Sequence, residues 1–316
     1  MLNPVGLVDA GRISQDTGHN FEDSKEAASG IAARYYMNRN FFIADPDAFT
    51  VSEQTSDDRS WQPGPAPRTL DEANVSIALA AVSGGMYEIG DDLPTLGASP
   101  ERLALVENQD LENMARLGRA STPIDLMSYS TDDEQPSEFL LKESPRQTIL
   151  TVFNWTNREQ MRSILISSLG LDADHHYQLT EVLGDQACCA MSGGTINLKQ
   201  APHSVAVLKL VDPGVPAVVP QFEAHAPDAG KSGETLHFSV GVPPGAPTLL
   251  ANKWSFGDGV STVGIDVHHA YTHPGRYEAT VTVTSADGLA SSKTFNIAIT
   301  GTVPTHFLPA AKRRPE

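Results

Sequence analysis

The apolar positions of the first 122 residues follow two spacings, a helical one and short unbroken runs. In segment 24–38, alanine, isoleucine and tyrosine recur three and four residues apart, which places them on one helix face. Residues 71–83 are rich in alanine and begin with acidic side chains that suit a helix N-terminus. The pattern predicts helices over 24–38, 71–83 and 100–117, and short strands over 41–44 and 86–89. Alternating strands and helices are typical of a parallel α/β sheet.

The pattern changes at residue 123. Turn residues separate short strand-like runs, and no helical spacing is visible, which predicts an antiparallel β-sandwich over 123–212. The runs cover 138–143, 148–154, 161–166, 177–183 and 204–211. Pro-Gly-Val-Pro at 213–216 is a linker signal, and alternating apolar positions then predict a second all-β unit over 213–301. We expect the tail, 302–316, to be disordered.

Composition narrows the possible partners. The 316 residues hold 39 acidic and 22 basic side chains, giving a net charge of −17. Such a surface repels phosphate backbones, so we expect no nucleic-acid partner. No apolar run approaches the roughly 18 residues of a membrane helix, so we expect no membrane span. The two cysteines, Cys188 and Cys189, are neighbours, a spacing that predicts neither a disulfide framework nor a CxxC metal pair.

A specific motif series lies in the second all-β unit. It consists of Trp-Ser-Phe-Gly-Asp-Gly at 254–259, Ala-Tyr at 270–271, Pro-Gly-Arg-Tyr at 274–277 and Thr-Val-Thr-Val at 280–283. This series resembles the PKD family, and the resemblance implies an immunoglobulin-like sandwich that serves as a spacer on extracellular proteins. In the turn at 257–259, we expect the two glycines to adopt positive φ and Asp258 to accept bonds from the turn's own amides.

Two segments of the first 122 residues carry candidate chemistry. They read Gly-Arg-Ile-Ser-Gln-Asp-Thr-Gly-His at 11–19 and Phe-Phe-Ile-Ala-Asp-Pro-Asp-Ala-Phe at 41–49. With the helix that follows and the β domain after it, these motifs resemble the clan of retaining α-galactosidases, glycoside hydrolase families 27 and 36. In that clan, an RxxxD motif follows barrel strand 6 and a DPD motif follows strand 7. The resemblance covers residues 1 to about 212 in the same order.

The resemblance implies a role for each polar residue of the two motifs. Asp16 would be the general acid/base, Arg12 a substrate-site arginine, and Asp47 an acceptor for sugar hydroxyls. Asp45 would be a structural partner at the strand end. A retaining glycosidase also needs a second carboxylate, about 5–5.5 Å from the first, that attacks the anomeric carbon. In the family this nucleophile lies on an earlier barrel strand, around strand 4.

The chain departs from the family in length. A complete (β/α)₈ barrel takes about 250 residues, whereas roughly 120 precede the predicted sandwich. We therefore expect residues 1–122 to be the C-terminal part of a (β/α)₈ barrel, about strands 6–8, with the nucleophile outside the sequence. The first residues also lack the basic and apolar regions of a signal peptide. Since the PKD resemblance implies secretion, we expect an extracellular or periplasmic protein whose signal peptide precedes this part.

The sequence leaves several functions open. The leading hypothesis is a fragment of a retaining α-galactosidase-like enzyme, inactive as the isolated chain, whose partner is an oligosaccharide or polysaccharide. The alternatives are a non-catalytic carbohydrate-binding or adhesion protein, and the same clan acting on α-N-acetylgalactosaminides or β-L-arabinopyranosides. We expect no cofactor. We also expect no metal, because the histidine pairs at 175–176 and 268–269 have no known ligand spacing and are interpreted as loop histidines.

Overall fold

The computed structural model describes residues 6–53, 68–184, 186–243 and 249–301. The chain divides into two compact units, Met1–Pro216 and Ala217–Glu316, and each is described by itself. The predicted disordered tail, 302–316, lies outside the described residues. No helix in the described ranges combines the length and the apolar character needed to cross a membrane.

The first unit begins with two short parallel strands and five α-helices. Strands β1 and β2 pair in parallel, with Ala10 opposite Ile43 and Arg12 opposite Asp45. A single 3₁₀ turn, Tyr35–Met37, extends the first helix. The elements are β1 Ala10–Arg12, α1 Phe21–Arg34, β2 Ile43–Asp45, α2 Leu70–Ser83, α3 Leu93–Gly97, α4 Pro100–Val106 and α5 Gln109–Arg116.

Side-chain caps fix where these helices begin. Asn20 accepts a hydrogen bond from the Asp23 amide at 2.9 Å, so α1 begins three residues earlier than predicted. Thr69 and Glu72 form a reciprocal capping box at α2. The single helix predicted over 100–117 is wrong, because Asn108 accepts bonds from two following amides and starts α5 as a new helix.

The strand predicted at 86–89 does not form. This segment makes only one parallel bridge, between Phe49 and Ile89. The reason lies in the turn after β2, where Asp47 has φ +77° and interrupts the extended backbone that a continuous ladder requires. In the described residues of the first unit, parallel pairing is therefore limited to β1, β2, this bridge and a second single bridge between Asn38 and Phe42. The predicted three barrel strands reduce to two.

The rest of the first unit is an antiparallel sandwich. Strands β3, β4, β5, β10 and β7 form a five-stranded sheet in that order, and β6, β9 and β8 form a three-stranded sheet. Leu150, Leu208 and Ile196 are among the buried residues between them. The strands are β3 Thr122–Pro123, β4 Glu138–Lys142, β5 Gln147–Asn154, β6 Gln160–Leu165, β7 Gln178–Glu181, β8 Cys189–Ser192, β9 Thr195–Gln200 and β10 Ser204–Val211.

The helical part of the first unit packs directly against its sandwich. Helix α2 is buried along almost its whole length and packs against β10 and β5. Phe21 of α1 stacks on His203 with ring centroids 3.9 Å apart, and His203 binds Glu72 of α2 at 2.9 Å. A division at residues 122 and 123 stays a prediction, within a unit whose halves are packed together.

The second unit is a separate sandwich of two sheets. Strands β11, β13 and β16 form one sheet, and β12, β18, β17, β14 and β15 form the other. Trp254, Phe238, Phe256 and Tyr271 fill the core between them, each at most 1 % exposed. The strands are β11 Glu223–His225, β12 Ala229–Lys231, β13 Leu236–Gly241, β14 Leu249–Ser255, β15 Ser261–Val263, β16 Asp266–His269, β17 Gly275–Ser285 and β18 Ala290–Thr300.

Candidate functional site

Arg12 forms ion pairs with three carboxylates at the C-terminal ends of β1 and β2. Its Nη1 donates to Asp16 Oδ1 at 2.7 Å and its Nη2 to Asp47 Oδ1 at 2.7 Å. Its Nε lies 3.4 Å from Asp45 Oδ2. The parallel register accounts for this arrangement, since it places Arg12 opposite Asp45 and directs both following loops to the same sheet edge. The structure thus brings together all four residues that the sequence selected.

Asp47 is held by both loops. Its Oδ2 accepts from the Thr17 amide at 2.6 Å, and its Oδ1 accepts from the Ala48 amide at 2.9 Å. Its own amide donates to Asp45 Oδ1 at 2.9 Å. The positive φ of Asp47 turns the chain so that the carboxylate faces Arg12. Aspartate tolerates this conformation better than most residues, because its short polar side chain bonds locally.

The cluster is asymmetric in exposure. The side chain of Asp47 is 18 % exposed, whereas that of Asp16 is 99 % exposed. Burial by itself would lower the pKa of Arg12, but its bond to Asp16 and the charges of Asp47 and Asp45 together raise it. Arg12 therefore stays protonated, and it lies between the half-buried carboxylate of Asp47 and the exposed carboxylate of Asp16. Asp16 is therefore the most accessible carboxylate of the cluster, and the smaller exposed part of Asp47 can still contact a ligand.

A buried arginine fixes the backbone of the loop after β1. Arg68 is 1 % exposed, and its guanidinium donates to the carbonyl oxygens of Gly18 and Asn20 at 2.9 Å and of His19 at 3.3 Å. It also donates to the Glu72 carbonyl at 3.1 Å. Burial lowers the pKa of Arg68 to about 10. No motif in the sequence marks this residue, because most of its partners are backbone carbonyls, three of them about fifty positions away.

A buried carboxylate fixes the loop after β2. Asp91 accepts from the amides of Val51 and Ser52 at 2.8 Å each, and from the Ser52 hydroxyl. His19 Nε2 lies 3.7 Å from it, so Asp91 links the two loops. Burial alone would raise the pKa of Asp91, but the bonds from His19, Ser52 and the two amides hold it below its ordinary value. No motif in the sequence marks Asp91 as a site residue.

A cleft of about 370 Å³ lies beside this cluster without including it. Phe49, Tyr87 and Ile89 line one part of it, and Glu112 and Arg116 of α5 line another. The Tyr87 hydroxyl is buried and has no hydrogen-bond partner among the described residues. Burial, and the Glu112 charge in addition, raise the pKa of Tyr87. Since neither Asp16 nor Arg12 lines the cleft, we do not assign the candidate chemistry to it.

Only one group of side chains in the described ranges can hold a metal ion, and it lies in the second unit, at His237, Asp266 and His268. The prediction that His268 and His269 are loop histidines is wrong, because both lie on β16. The predicted turn chemistry around Asp258 is present. Asp258 accepts from the Val260 amide at 3.1 Å, and the glycines on either side of it have φ of +82° and +93°.

Comparisons with known proteins address each unit. A family model for the PKD domain matches residues 217–299. No curated protein sequence matches the chain. Among solved structures, a GH27 β-L-arabinopyranosidase from Geobacillus stearothermophilus, in complex with arabinose, matches 67 % of this chain at 15 % identity with a TM-score of 0.51. Alpha-galactosidase I from Mortierella vinacea matches 65 % at 12 % identity with a TM-score of 0.50. A putative alpha-galactosidase/melibiase from Bacteroides fragilis matches 65 % at 16 % identity with a TM-score of 0.52.

These matches concern the fold, and they are partial. The chain covers 46 %, 54 % and 42 % of the three structures, so it spans about half the length of the enzymes it resembles. Both resemblances seen in the sequence are confirmed at this level. Residues 217–299 are a PKD domain, and over about two-thirds of its length the chain has a fold similar to part of the GH27 glycoside hydrolases.

Proposed function

We propose that the first unit is the C-terminal part of a retaining α-galactosidase-like glycoside hydrolase. One observation carries the proposal: Arg12 joins the exposed Asp16 and the held Asp47 at the C-terminal edge of parallel strands. Active sites of α/β barrel enzymes lie at this edge, because the loops after the strands converge there. The fold similarity to GH27 structures supports the same reading.

Each residue of the cluster has a proposed role. Asp16 would protonate the leaving oxygen and then deprotonate the attacking water, which requires a carboxyl that substrate can reach. Asp47 would accept hydrogen bonds from sugar hydroxyls with an oxygen already oriented by Thr17. Arg12 would keep the two carboxylates apart from each other while balancing their charge. We propose that the attacking carboxylate comes from residues outside this sequence, since the chain spans about half of the GH27 structures.

In the leading form of the proposal, the substrate is a terminal α-galactoside. A β-L-arabinopyranoside has the same arrangement of ring hydroxyls and lacks the C6 hydroxymethyl group. A cluster that binds ring hydroxyls through Asp47 therefore serves both sugars, and a neighbouring structure is an arabinopyranosidase. Selection against an α-N-acetylgalactosaminide depends on contacts to the 2-position, for which the described residues offer no candidate. The PKD domain would act as a spacer on an extracellular or periplasmic protein.

The test uses the present chain and a longer protein that includes the reading frame upstream of Met1. We expect the longer protein to hydrolyse p-nitrophenyl α-galactoside, or the matching β-L-arabinopyranoside, with retention at the anomeric carbon followed by proton NMR. We expect the present chain to give no turnover above buffer, because a retaining displacement cannot begin without its nucleophile. Binding of galactose without turnover by the longer protein would favour a non-catalytic carbohydrate-binding function instead.

Substitution at Asp16 tests the assigned role. In the longer protein, Asp16→Asn should lower turnover of substrates with poor leaving groups by about 10²–10⁴-fold, because it removes proton transfer to the leaving oxygen. Activated aryl substrates should lose much less in the glycosylation step. Asp9→Asn, another exposed carboxylate just before β1, is the matched control and should leave both rates unchanged. Equal losses on both substrate classes would contradict the acid/base assignment.

A further inference from the structure

The outward face of the three-stranded sheet in the second unit carries histidine and acidic side chains. In β13, Leu236 and Phe238 point into the core, so His237 between them points outward. In β16, Val267 is buried and its neighbours Asp266 and His268 are exposed. Strand periodicity therefore places the three polar side chains on one solvent-facing surface.

The register of the sheet brings these side chains together. His237 is directly opposite His268 in the antiparallel pair of β13 and β16, and their rings lie 5.0 Å apart between centroids. Asp266 is two residues before His268 on the same face, and its Oδ1 lies 2.8 Å from His237 Nε2. One ligand atom from each of the three residues lies within 4.8 Å of the other two.

We propose that His237, Asp266 and His268 bind a divalent transition-metal ion, with zinc as the reference ion. Two imidazoles and a carboxylate are ligands that Zn²⁺ accepts, and three protein ligands leave a fourth position for water or for a group on a partner. Imidazole nitrogen also selects against Ca²⁺ and Mg²⁺, which prefer oxygen ligands.

Small side-chain rotations complete the site. Zinc bonds of 2.0–2.1 Å in a tetrahedral site place ligand atoms about 3.3 Å apart. Separations that now reach up to 4.8 Å therefore need to shorten by up to about 1.5 Å, whereas the 2.8 Å between Asp266 Oδ1 and His237 Nε2 needs to lengthen by about 0.5 Å. Nothing rigid opposes this, because the side chains of His237 and Asp266 are 54 % and 64 % exposed. The acidic surface of the protein, with its net charge of −17, raises the local concentration of cations.

The histidine next to the proposed site, His269, is not one of the proposed ligands. His269 follows His268 in sequence but points to the opposite side of β16. It stacks on Phe256 with centroids 4.0 Å apart and binds Asp258 at 2.8 Å. His269 is therefore occupied in packing, and the adjacent pair of histidines divides into one structural residue and one proposed ligand.

The test is Zn²⁺ titration of the full chain by isothermal calorimetry after removal of metal with a chelator. We expect one binding event that becomes at least about tenfold weaker in each of His237→Gln, Asp266→Asn and His268→Gln. His273→Gln is the matched control, because His273 is also exposed in the second unit and its ring is hydrogen-bonded to the hydroxyl of Thr272 rather than to a carboxylate. The control should bind Zn²⁺ as the unchanged protein does.

A second readout identifies the ligands directly. Long-range proton–nitrogen spectra of the histidine rings should show the signals of His237 and His268 shifting together on addition of Zn²⁺, while those of His269 stay in place. Thermal unfolding without metal should be the same in all variants, since the substituted side chains are exposed. An isotherm unchanged in His268→Gln, or an equal loss in His273→Gln, would overturn the proposal and leave an ordinary hydrogen-bonded histidine–aspartate pair.

Discussion

Arg12 and Asp47 are separated by 35 positions in the chain and joined by a 2.7 Å hydrogen bond between Nη2 and Oδ1. The parallel register of β1 and β2 supplies the first condition for this contact. The left-handed backbone of Asp47 supplies the second, because it turns the carboxylate toward the arginine. The geometry of the candidate site therefore depends on a local backbone conformation that most residues adopt at a cost.

This dependence gives the first prediction, at Asp47. Both Asp47→Gly and Asp47→Ala lose the bonds to Thr17, but only the alanine also has a Cβ in the left-handed region. We expect the alanine variant to be less stable than the glycine variant by about 1 kcal/mol. Urea denaturation, followed through hydrogen exchange of α2 amides in the first unit, measures the difference. Equal stability of the two variants would show that the backbone at this position is not strained.

Arg12, Asp16, Asp45 and Asp47 could be predicted from the sequence because they belong to two short motifs at strand ends. Arg68 and Asp91, which hold the same two loops in place, could not. Arg68 bonds to backbone carbonyls and Asp91 to backbone amides, and backbone partners leave no pattern of residue types along the chain. Long-range backbone contacts of this kind become visible only when the chain is folded.

Strand prediction failed for a different reason at 86–89. The residues favour extended structure, but a strand needs a straight neighbour, and the turn at Asp47 removes it. Strands β8 and β9 were missed as well, although Thr195–Gln200 alternates buried and exposed positions as a half-buried strand should. The alternation is present in the sequence of β9 itself, because the exposed Asn197 and Lys199 alternate with the buried Ile196 and Leu198. The stronger apolar runs at β5 and β10 were predicted within one residue of their observed ends.

The second prediction concerns Arg68. Arg68→Met would leave the carbonyls of Gly18, His19, Asn20 and Glu72 without their buried donor. The Gly18 carbonyl keeps a bond from the Thr50 hydroxyl at 3.1 Å, and those of Asn20 and Glu72 are at helical positions. A buried acceptor left without any partner costs about 1–3 kcal/mol, so we expect the first unit to lose at least about 1 kcal/mol of unfolding free energy.

Arg116→Met is the matched control for this experiment. Arg116 is exposed, and its one ion pair among the described residues is with Glu112 one helical turn away, a contact worth about 0.5 kcal/mol or less. Urea denaturation of both variants in the same buffer compares them. If Arg68→Met were no more destabilising than Arg116→Met, relief of the buried charge would outweigh the lost hydrogen bonds.

The third prediction is a pH dependence at Glu143. This side chain is buried, and it lies in the connection between the end of β4 and the start of β5. Burial raises the pKa of Glu143 above the ordinary 4.5, although the hydrogen bond from Gln147 opposes the shift. The folded state therefore binds the proton more tightly than the unfolded state. Between pH 4.5 and the raised value, the protein loses stability as pH increases.

Glu143→Gln should remove this loss, since glutamine stays neutral and keeps an acceptor for Gln147. We expect the variant to be more stable than the unchanged protein at pH 7 and equal to it below about pH 4.5. Glu159→Gln, at an exposed position paired with Lys199, is the control and should not become more stable than the unchanged protein as pH rises. Urea midpoints at several pH values from 4 to 8 measure both. A constant difference across this range would exclude proton linkage at Glu143.

The fourth prediction is that residues 213–301 fold without the rest of the chain. The second unit has its own core, centred on Trp254 and Phe238, and its long strands β17 and β18 pair along ten positions. Tyr271, fully buried, donates to the Phe256 carbonyl at 3.0 Å and closes the turn that carries Asp258. A unit with a closed core and satisfied backbone bonds does not need its neighbour to remain folded.

The measurement is a proton–nitrogen spectrum of residues 213–301, with urea denaturation of the same fragment followed by tryptophan fluorescence. We expect dispersed amide signals and one cooperative transition, because Trp254 lies in the core and reports its loss. Tyr271→Phe serves as a calibrating variant. It removes one buried hydrogen bond and leaves the Phe256 carbonyl unpaired, so it should lower the unfolding free energy by about 1–2 kcal/mol while the spectrum stays dispersed. A spectrum of unfolded chain from the unchanged fragment would mean that the sandwich depends on residues before 213, and the predicted domain boundary would be wrong.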